Sequence, residues 1–214
     1  MLNDTMAILD RGYYEVNGKR VNLKLSKAEM KEISVFLPKD VKSISDNKDF
    51  QHIHMMGGRI GVDCVNMDSY SLAIKRYSDC SYMFSKKSKP ILVLNLANPV
   101  NPGGGVRRGS KAQEEDLCRK SSLLLSLESS AASVYYKYNK SLNTYMGSDA
   151  VMVTPQVEII KDENGSLLDE SVIVSVMTCA APMLRNGMEG LTDQEYRDMV
   201  YGRITGMLKV AAHL

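Results

Sequence analysis

A continuous apolar run that ends in a loop rich in asparagine and glycine constrains this chain more than any other feature. Residues 91–97 read ILVLNLA, and residues 172–180 read VIVSVMTCA. Apolar runs of this length predict strands that are buried on both faces of a sheet. A helical pattern at 112–127 lies between them. Strands that alternate with helices predict an α/β fold in which helices flank a mixed sheet.

Weaker patterns complete the predicted order of elements. Short apolar segments predict further strands at 60–66, 150–153 and 156–160. Thr192 begins a long amphipathic helix whose apolar stripe carries one charge, Arg203. These elements extend the strand and helix alternation to the end of the chain.

The N-terminal residues predict a small substructure of their own. A short helix is followed by an Asn-Gly pair between alternating residues, which is a strong hairpin signal. Ser26 and Glu29 form a capping box that predicts a second helix, and Pro38 ends it. We therefore expect residues 1–40 to form a helix–hairpin–helix extension that packs on a domain of residues 41–214.

Composition argues against several classes of protein. The chain has 27 Lys and Arg against 25 Asp and Glu, and a net charge of +2 argues against direct DNA binding. It has neither a long apolar span nor a basic N-terminal signal, so we expect a cytoplasmic protein that does not contact a membrane. The 4 cysteines are widely spaced, which favours reduced thiols over disulfides or a zinc site.

The loop after the first apolar run carries the candidate chemistry. The run carries Asn95, and the segment after it contains Asn98, Asn101, the glycines Gly103, Gly104 and Gly105, and then Gln113, Glu114 and Glu115. Ligands of open α/β sheets bind beyond the carboxyl ends of strands, and glycines let the backbone approach a ligand closely. The loop is neither a Walker loop nor a dinucleotide fingerprint. From the residues alone, a flexible turn and two glutamates that complement a helix dipole explain it equally well.

The spacing of this loop resembles the signature of a known family. The pattern GGG, seven residues, then QEE is similar to the signature of poly(ADP-ribose) glycohydrolases. The preceding Asn-Leu-Ala-Asn resembles the macrodomain asparagine segment. The stretches DTMAILDRGYY near the N-terminus and TCAAPMLR at 178–185 resemble the microbial type of the enzyme, so the likeness covers nearly the whole chain.

This resemblance implies a macrodomain-like fold that binds ADP-ribose and cleaves the ribose–ribose O-glycosidic bond of poly(ADP-ribose). It implies that Glu115 is the catalytic acid and that Glu114 binds ribose hydroxyls. It also implies further substrate-binding residues, with Asn98 at the terminal ribose, Gln113 positioning the glutamates, and the diphosphate beside Gly103, Gly104, Gly105 and Val106. The implied partners are poly(ADP-ribose) or an ADP-ribosylated protein, with ADP-ribose as product and no cofactor or metal.

The chemistry of carboxylic acids agrees with these implied roles. Cleavage of a glycosidic bond needs protonation of the leaving oxygen and stabilisation of an oxocarbenium-like centre. A glutamic acid serves if burial and a neighbouring like charge raise its pKa towards neutrality. Side chains at adjacent helix positions point about 100° apart, so Glu114 and Glu115 cannot perform the same task.

Other polar residues have two interpretations each. His52 and His54 form an H-x-H pair that could bind a metal, but exposed loop histidines explain it better because no third ligand is evident. Arg107 and Arg108 could meet a phosphate or be solvated. A third group is a cluster of tyrosines, Tyr135, Tyr136 and Tyr138. These rings could stack on adenine, although filling of the core is the favoured interpretation.

The C-terminus departs from the resembled family, whose members continue into a further strand and a second glycine-rich loop. Because this chain ends at Leu214, we expect a catalytic domain that is incomplete at its C-terminus and an unpaired sheet edge through which chains self-associate. Two alternatives stay open, a non-catalytic or weakly active ADP-ribose-binding module and a mono-ADP-ribosyl hydrolase.

Overall fold

A computed structural model describes residues 1–44, 61–83 and 91–214. The helices are α1 (Leu2–Arg11), α2 (Pro38–Ser43), α3 (Ser69–Met83), α4 (Gln113–Lys120), α5 (Leu123–Leu127), α6 (Ser133–Ser141) and α7 (Asp193–His213). The strands are β1 (Tyr13–Val16), β2 (Lys19–Asn22), β3 (Ser34–Phe36), β4 (Leu92–Ala97), β5 (Val151–Lys161), β6 (Leu167–Ala180) and β7 (Arg185–Met188). Short 3₁₀ turns occupy Glu29–Lys31 and Val106–Arg108.

A mixed sheet forms the centre of the molecule. Among the described residues its strand order is β3-β5-β6-β4, with β4 parallel to β6 and the other two pairs antiparallel. The main core lies between this sheet and helices α3 to α6. Helices α2 and α7 pack on residues of β5 and β6 in a second cluster. The predicted α/β fold with helices flanking a mixed sheet is confirmed.

Strand β4 differs from the prediction that it is buried on both faces. Val93, Asn95 and Ala97 are buried, whereas the alternate residues Leu92, Leu94 and Leu96 are 37%, 37% and 49% exposed. The cause is its place at the edge of the described sheet, where one face packs on the core and the other does not. Self-association through this edge stays a prediction.

Three other predicted elements were wrong in their existence or in their bounds. Residues 61–66 are exposed and form no strand. The predicted helix at 112–127 breaks at Ser121 and Ser122, where Ser122 donates its N–H to the Glu158 carbonyl at 3.0 Å. The two predicted strands around Pro155 form one strand, β5, with a register shift between Thr154 and Val157.

The N-terminal residues contain the predicted capping box but not the predicted second helix. Glu29 Oε2 accepts the Ser26 N–H at 2.7 Å, yet only the 3₁₀ turn follows. Residues 34–36 instead pair with β5 in the main sheet, and Pro38 begins helix α2 rather than ending one. The proposed division at residue 40 stays a prediction.

Two buried charges of β5 hold the N-terminal residues. Lys161 donates from Nζ to Asp4 Oδ2 at 2.6 Å. The Glu158 carboxylate accepts the N–H groups of Lys24 at 2.8 Å and Leu25 at 3.1 Å. These bonds replace the water that both charged groups lose on burial. No helix among the described residues has the length and apolar character needed to cross a bilayer.

Arg203 joins helix α7 to the carboxyl end of β6. Its Nη1 donates to the carbonyls of Met146 at 2.8 Å and Ala180 at 2.9 Å. Its Nε donates to Asp149 Oδ1 at 3.2 Å. The one charge on the predicted apolar stripe therefore faces inwards, and it fixes the loop before β5 against the end of β6.

We expect Arg203→Met to lower the free energy of unfolding by about 2–4 kcal/mol, because it leaves two carbonyl groups without donors. Asp149 is partly exposed and can be solvated, so its charge adds little to the loss. Urea unfolding measures the change, with Arg197→Met as the control because Arg197 is exposed on the same helix. Equal losses in the two variants would contradict the proposed role of Arg203.

Candidate active site

Gln113 fixes the first residue of helix α4 to the outer edge of strand β4. Its Nε2 donates to the Leu94 carbonyl at 2.6 Å, and its Oε1 accepts the Leu96 N–H at 2.7 Å. The side-chain amide thus pairs with the strand as the backbone of a neighbouring strand would. The next two residues, Glu114 and Glu115, are thereby held at the carboxyl end of β4.

Glu114 is a buried carboxylate with one bonded and one unbonded oxygen. Glu114 is 3% exposed, and its Oε2 accepts the Asn98 N–H at 2.8 Å. Oε1 has no hydrogen-bond partner among the described residues. Burial raises the pKa of Glu114 to about 7, and the nearby charge of Glu115 acts in the same direction. Glu114 can therefore hold a proton near neutral pH.

Glu115, the next residue of α4, is held in a similar way. It is 6% exposed, and Oε1 accepts the Gly105 N–H at 2.8 Å. Oε2 is buried without a partner in the described part of the chain. Each glutamate is therefore oriented by one loop amide and has one buried oxygen that no described residue bonds.

The glycine loop is shaped by the two carboxylates. Gly104 has a φ of +58°, and a Cβ there would lie 2.5 Å from Glu115 Oε1 and 3.0 Å from Glu114 Oε2. A Cβ on Gly103 would lie 2.6 Å from Leu124 Cδ1, and one on Gly105 would clash with Ser110. The interpretation of this segment as a flexible turn is therefore wrong, since its glycines permit close packing.

Val106 faces away from the carboxylates. Its side chain is buried in the main core, and its N–H donates to the Gly103 carbonyl at 3.1 Å. Any contact of Val106 with a ligand would consequently involve its backbone.

Asn98 connects the glutamates to a neighbouring cavity. Its Oδ1 accepts the N–H groups of Val100 at 3.0 Å and Asn101 at 2.9 Å, which closes a tight turn. The residue also lines a cavity of about 390 Å³ with Arg108 and Asn139. The structure therefore brings together the predicted residues Asn98, Gly103, Gly104, Gly105, Gln113, Glu114 and Glu115.

The two arginines that follow the glycines have different surroundings. Arg107 donates to the Glu128 carboxylate from Nε at 3.1 Å and from Nη2 at 2.7 and 2.8 Å. Arg108 lines the cavity and forms no ion pair with a described residue. Sequence alone could not distinguish them, because the position of Glu128 depends on the fold.

Asn95 is a neighbour of the site that sequence reasoning did not select. It is buried on β4, and its Nδ2 donates to Thr178 Oγ1 of β6 at 3.2 Å. The Asn95 side chain also lowers the pKa of Glu114, opposing the larger effect of burial. The available signal was a polar residue at a core position of an apolar strand.

The tyrosines of α6 support the core interpretation. The rings of Tyr135 and Tyr136 are buried in the main core and meet edge to face at 5.2 Å. Their hydroxyl oxygens are buried without partners among the described residues. Burial, and to a smaller extent the charge of Glu114, raises the pKa of Tyr136.

The metal interpretation of His52 and His54 lies outside the described residues. Within the described ranges, no group of three or more His, Cys, Asp or Glu side chains could hold a metal ion.

The chain is similar to known proteins in sequence and in structure. A family model described as microbial-type PARG, catalytic domain, matches residues 3–162. The poly(ADP-ribose) glycohydrolase of Thermomonospora curvata bound to the inhibitor ADP-HPD is similar with a TM-score of 0.81 and 26% identity, over 99% of this chain and 73% of that chain. The Deinococcus radiodurans enzyme in complex with ADP-ribose has a TM-score of 0.69 and 28% identity, over 93% and 73%. No curated protein matches the chain significantly.

Two effects of a substitution at Gly104 can be measured separately, namely the contact with the carboxylates and the strain of its positive φ. Gly104→Ala places an alanine at a positive φ and also brings its Cβ against Glu115 Oε1. Gly109→Ala places an alanine at a positive φ without any such contact, since nothing lies within 4 Å of a Cβ there. The strain at φ alone costs about 1–3 kcal/mol. We expect Gly104→Ala to lower the unfolding free energy by more than Gly109→Ala, as measured in urea. Equal losses would contradict the contact.

The raised pKa of Glu114 predicts a pH-dependent stability. A folded-state pKa of about 7, above the usual value, means that the stabilisation is full in acid and is lost as the pH rises through 7. The maximum contribution is about 3 kcal/mol, at about 1.4 kcal/mol for each pH unit. Glu114→Gln should flatten the fall in unfolding free energy between about pH 5 and pH 8. The exposed control Glu32→Gln should keep the original slope, and an unchanged slope in Glu114→Gln would contradict the assignment.

Proposed function

Because this chain belongs to the microbial-type poly(ADP-ribose) glycohydrolase family, we propose that Glu114 and Glu115 carry out its reaction. The chain is a hydrolase that binds ADP-ribose and cleaves the ribose–ribose O-glycosidic bond of poly(ADP-ribose), releasing ADP-ribose. Its macrodomain-like sheet presents the glutamate pair at the carboxyl end of β4.

The observation that carries the proposal is the way in which both carboxylates are held. Each has one oxygen bonded to a loop N–H, at 2.8 Å in both residues, and one buried oxygen without a described partner. Buried polar atoms without partners are costly, so such atoms mark a place where a ligand completes the hydrogen bonding. Two carboxyl oxygens without described partners, on adjacent residues, suit a substrate that carries both hydroxyls and a glycosidic oxygen.

In the proposed reaction Glu115 is the acid. Its Oε2 donates a proton to the glycosidic oxygen, and the bond from that oxygen to the anomeric carbon breaks with the electron pair leaving on oxygen. The shortened polymer departs with a free hydroxyl. Water then adds to the oxocarbenium-like carbon and returns a proton to Glu115. The Gly105 N–H supports this role because it fixes the carboxyl orientation through the other oxygen.

Glu114 binds the hydroxyls of the terminal ribose. The Asn98 N–H fixes its Oε2, which leaves Oε1 for the sugar. Its raised pKa of about 7 lets it donate a hydrogen bond in neutral solution while adding little negative charge beside Glu115.

The remaining predicted residues have supporting roles in the proposal. Asn98 uses Oδ1 for its own turn, so its amide nitrogen is the group that binds the terminal ribose. Gln113 positions the glutamates through its two bonds to β4. The diphosphate lies along the backbone of the loop, with the residues Gly103, Gly104, Gly105 and Val106.

The cellular setting is also a proposal. Poly(ADP-ribose) or an ADP-ribosylated protein is the partner, and ADP-ribose is the product. Cys64, Cys118 and Cys179 are free thiols, which supports a reducing compartment, the cytoplasm.

We expect Glu115→Gln to lower kcat on poly(ADP-ribose) by about 10²–10⁴-fold, the usual contribution of a general acid. The change keeps the size of the side chain and removes its proton, so the affinity for ADP-ribose should change little. Release of ADP-ribose measures turnover, and calorimetry measures affinity. Near-normal turnover of Glu115→Gln would contradict the assignment.

The same assays separate the alternative functions. Glu114→Gln should weaken ADP-ribose binding as well as turnover, because Glu114 contacts the hydroxyls. A wild-type chain that binds ADP-ribose without releasing it from the polymer would be a binding module. A chain that acts on mono-ADP-ribosylated protein but not on polymer would be a mono-ADP-ribosyl hydrolase.

A further inference from the structure

We propose that the cavity beside Asn98 is a subsite for the polymer unit on the leaving side of the scissile bond, with Arg108 and Lys140 holding its phosphates. The inference rests on the proposed function, because it takes the terminal ribose to lie at Asn98. It identifies residues by which the chain would distinguish poly(ADP-ribose) from isolated ADP-ribose.

The cavity is formed by two separate parts of the fold. One wall consists of residues on either side of the three glycines, namely residues 98–101 before them and Arg108 after them. The other consists of the C-terminal end of α6 and the residues after it, including Asn139, Lys140 and Tyr145. Its volume of about 390 Å³ is within the range of small-molecule sites, which suits part of a nucleotide.

The charged side chains of the cavity are cations only. Arg108 and Lys140 are exposed, and neither forms an ion pair within the described part of the chain. No Asp or Glu is among the described lining residues. Arg107, one residue away, is instead neutralised by Glu128. An arginine and a lysine without carboxylate partners are suited to phosphate, which arginine binds with two parallel hydrogen bonds.

A buried oxygen in the wall requires a hydrogen-bond donor as well. Asn139 is 1% exposed, and its Nδ2 donates to the Tyr135 carbonyl at 3.0 Å. Its Oδ1 has no partner among the described residues. Asn139 lines the cavity, and its side chain therefore brings an amide oxygen without a described donor to this wall.

The position of the cavity relative to the glycines assigns it to the leaving side. The loop apex, Gly103–Gly105, contacts the carboxylates and does not line the cavity. If the diphosphate of the released unit follows the apex and its ribose lies at Asn98, the glycosidic oxygen points towards the cavity. Poly(ADP-ribose) carries a diphosphate in every unit, so the next unit brings phosphates to this place.

The test compares binding of a two-unit poly(ADP-ribose) oligomer with binding of ADP-ribose. Both are titrated by calorimetry into the Glu115→Gln chain, which preserves the oligomer, with and without Arg108→Ala and Lys140→Ala together. We expect the double substitution to weaken oligomer binding about tenfold or more, since it removes charged hydrogen bonds. ADP-ribose binding should change less than about twofold.

A matched control removes two cations from the same segments. Lys111→Ala with Lys137→Ala lowers the charge of the loop and of α6 equally, but neither residue lines the cavity. This control should leave the affinity for the oligomer within about twofold of its original value. An equal loss in the control would mean that general charge, rather than the cavity, attracts the polymer, and would overturn the proposal.

Three further results would overturn the inference. Parallel loss of ADP-ribose affinity would mean that the cations bind the diphosphate of the released unit. Unchanged oligomer affinity would mean that the cavity does not bind phosphate. An oligomer that binds the original chain no more tightly than ADP-ribose would mean that there is no leaving-side subsite. Failure of the proposed function is a separate outcome, seen as absence of ADP-ribose release by the wild-type chain.

Discussion

Burying two adjacent carboxylates is costly unless hydrogen bonds replace the water that they lose, and the structure around β4 follows from this requirement. The donors for Glu114 and Glu115 are main-chain N–H groups of Asn98 and Gly105. Main-chain donors reach a carboxylate only if the loop passes directly over it, which leaves no room for a Cβ at Gly104. The asparagine turn, the glycines and the glutamates are therefore one arrangement rather than three motifs.

The same principle operates on the opposite side of the sheet. Glu158 and Lys161 are buried charges near one end of β5. The first 25 residues of the chain bond both of them, and the Ser171 hydroxyl of β6 also donates to Glu158. The N-terminal residues thus provide donors and acceptors as well as apolar contacts. Removal of one partner would leave an uncompensated buried charge, so this segment and β5 depend on each other.

Features that nearby residues determine were predictable from the sequence, and features that distant residues determine were not. The apolar run of β6 and the Asn and glycine loop were recognisable because composition and spacing over a few residues define them. The turn at Glu29–Lys31 was predicted as a longer helix because the competing strand at 34–36 forms by pairing with β5, more than 100 residues away. The environment of Arg108 likewise needed the position of α6, which no local pattern contains.

The groups without described partners at the glutamates differ in kind from those exposed at the cavity. The free atoms of Glu114, Glu115 and Asn139 are buried carboxyl or amide oxygens, which suit the hydroxyls of a sugar. The unpaired cations, Arg108 and Lys140, are exposed at the cavity. A phosphate bound there keeps part of its hydration, which lowers the cost of binding it. In the proposed function the carboxyl oxygens therefore suit the ribose at the scissile bond, and the exposed cations suit the phosphates of the next polymer unit.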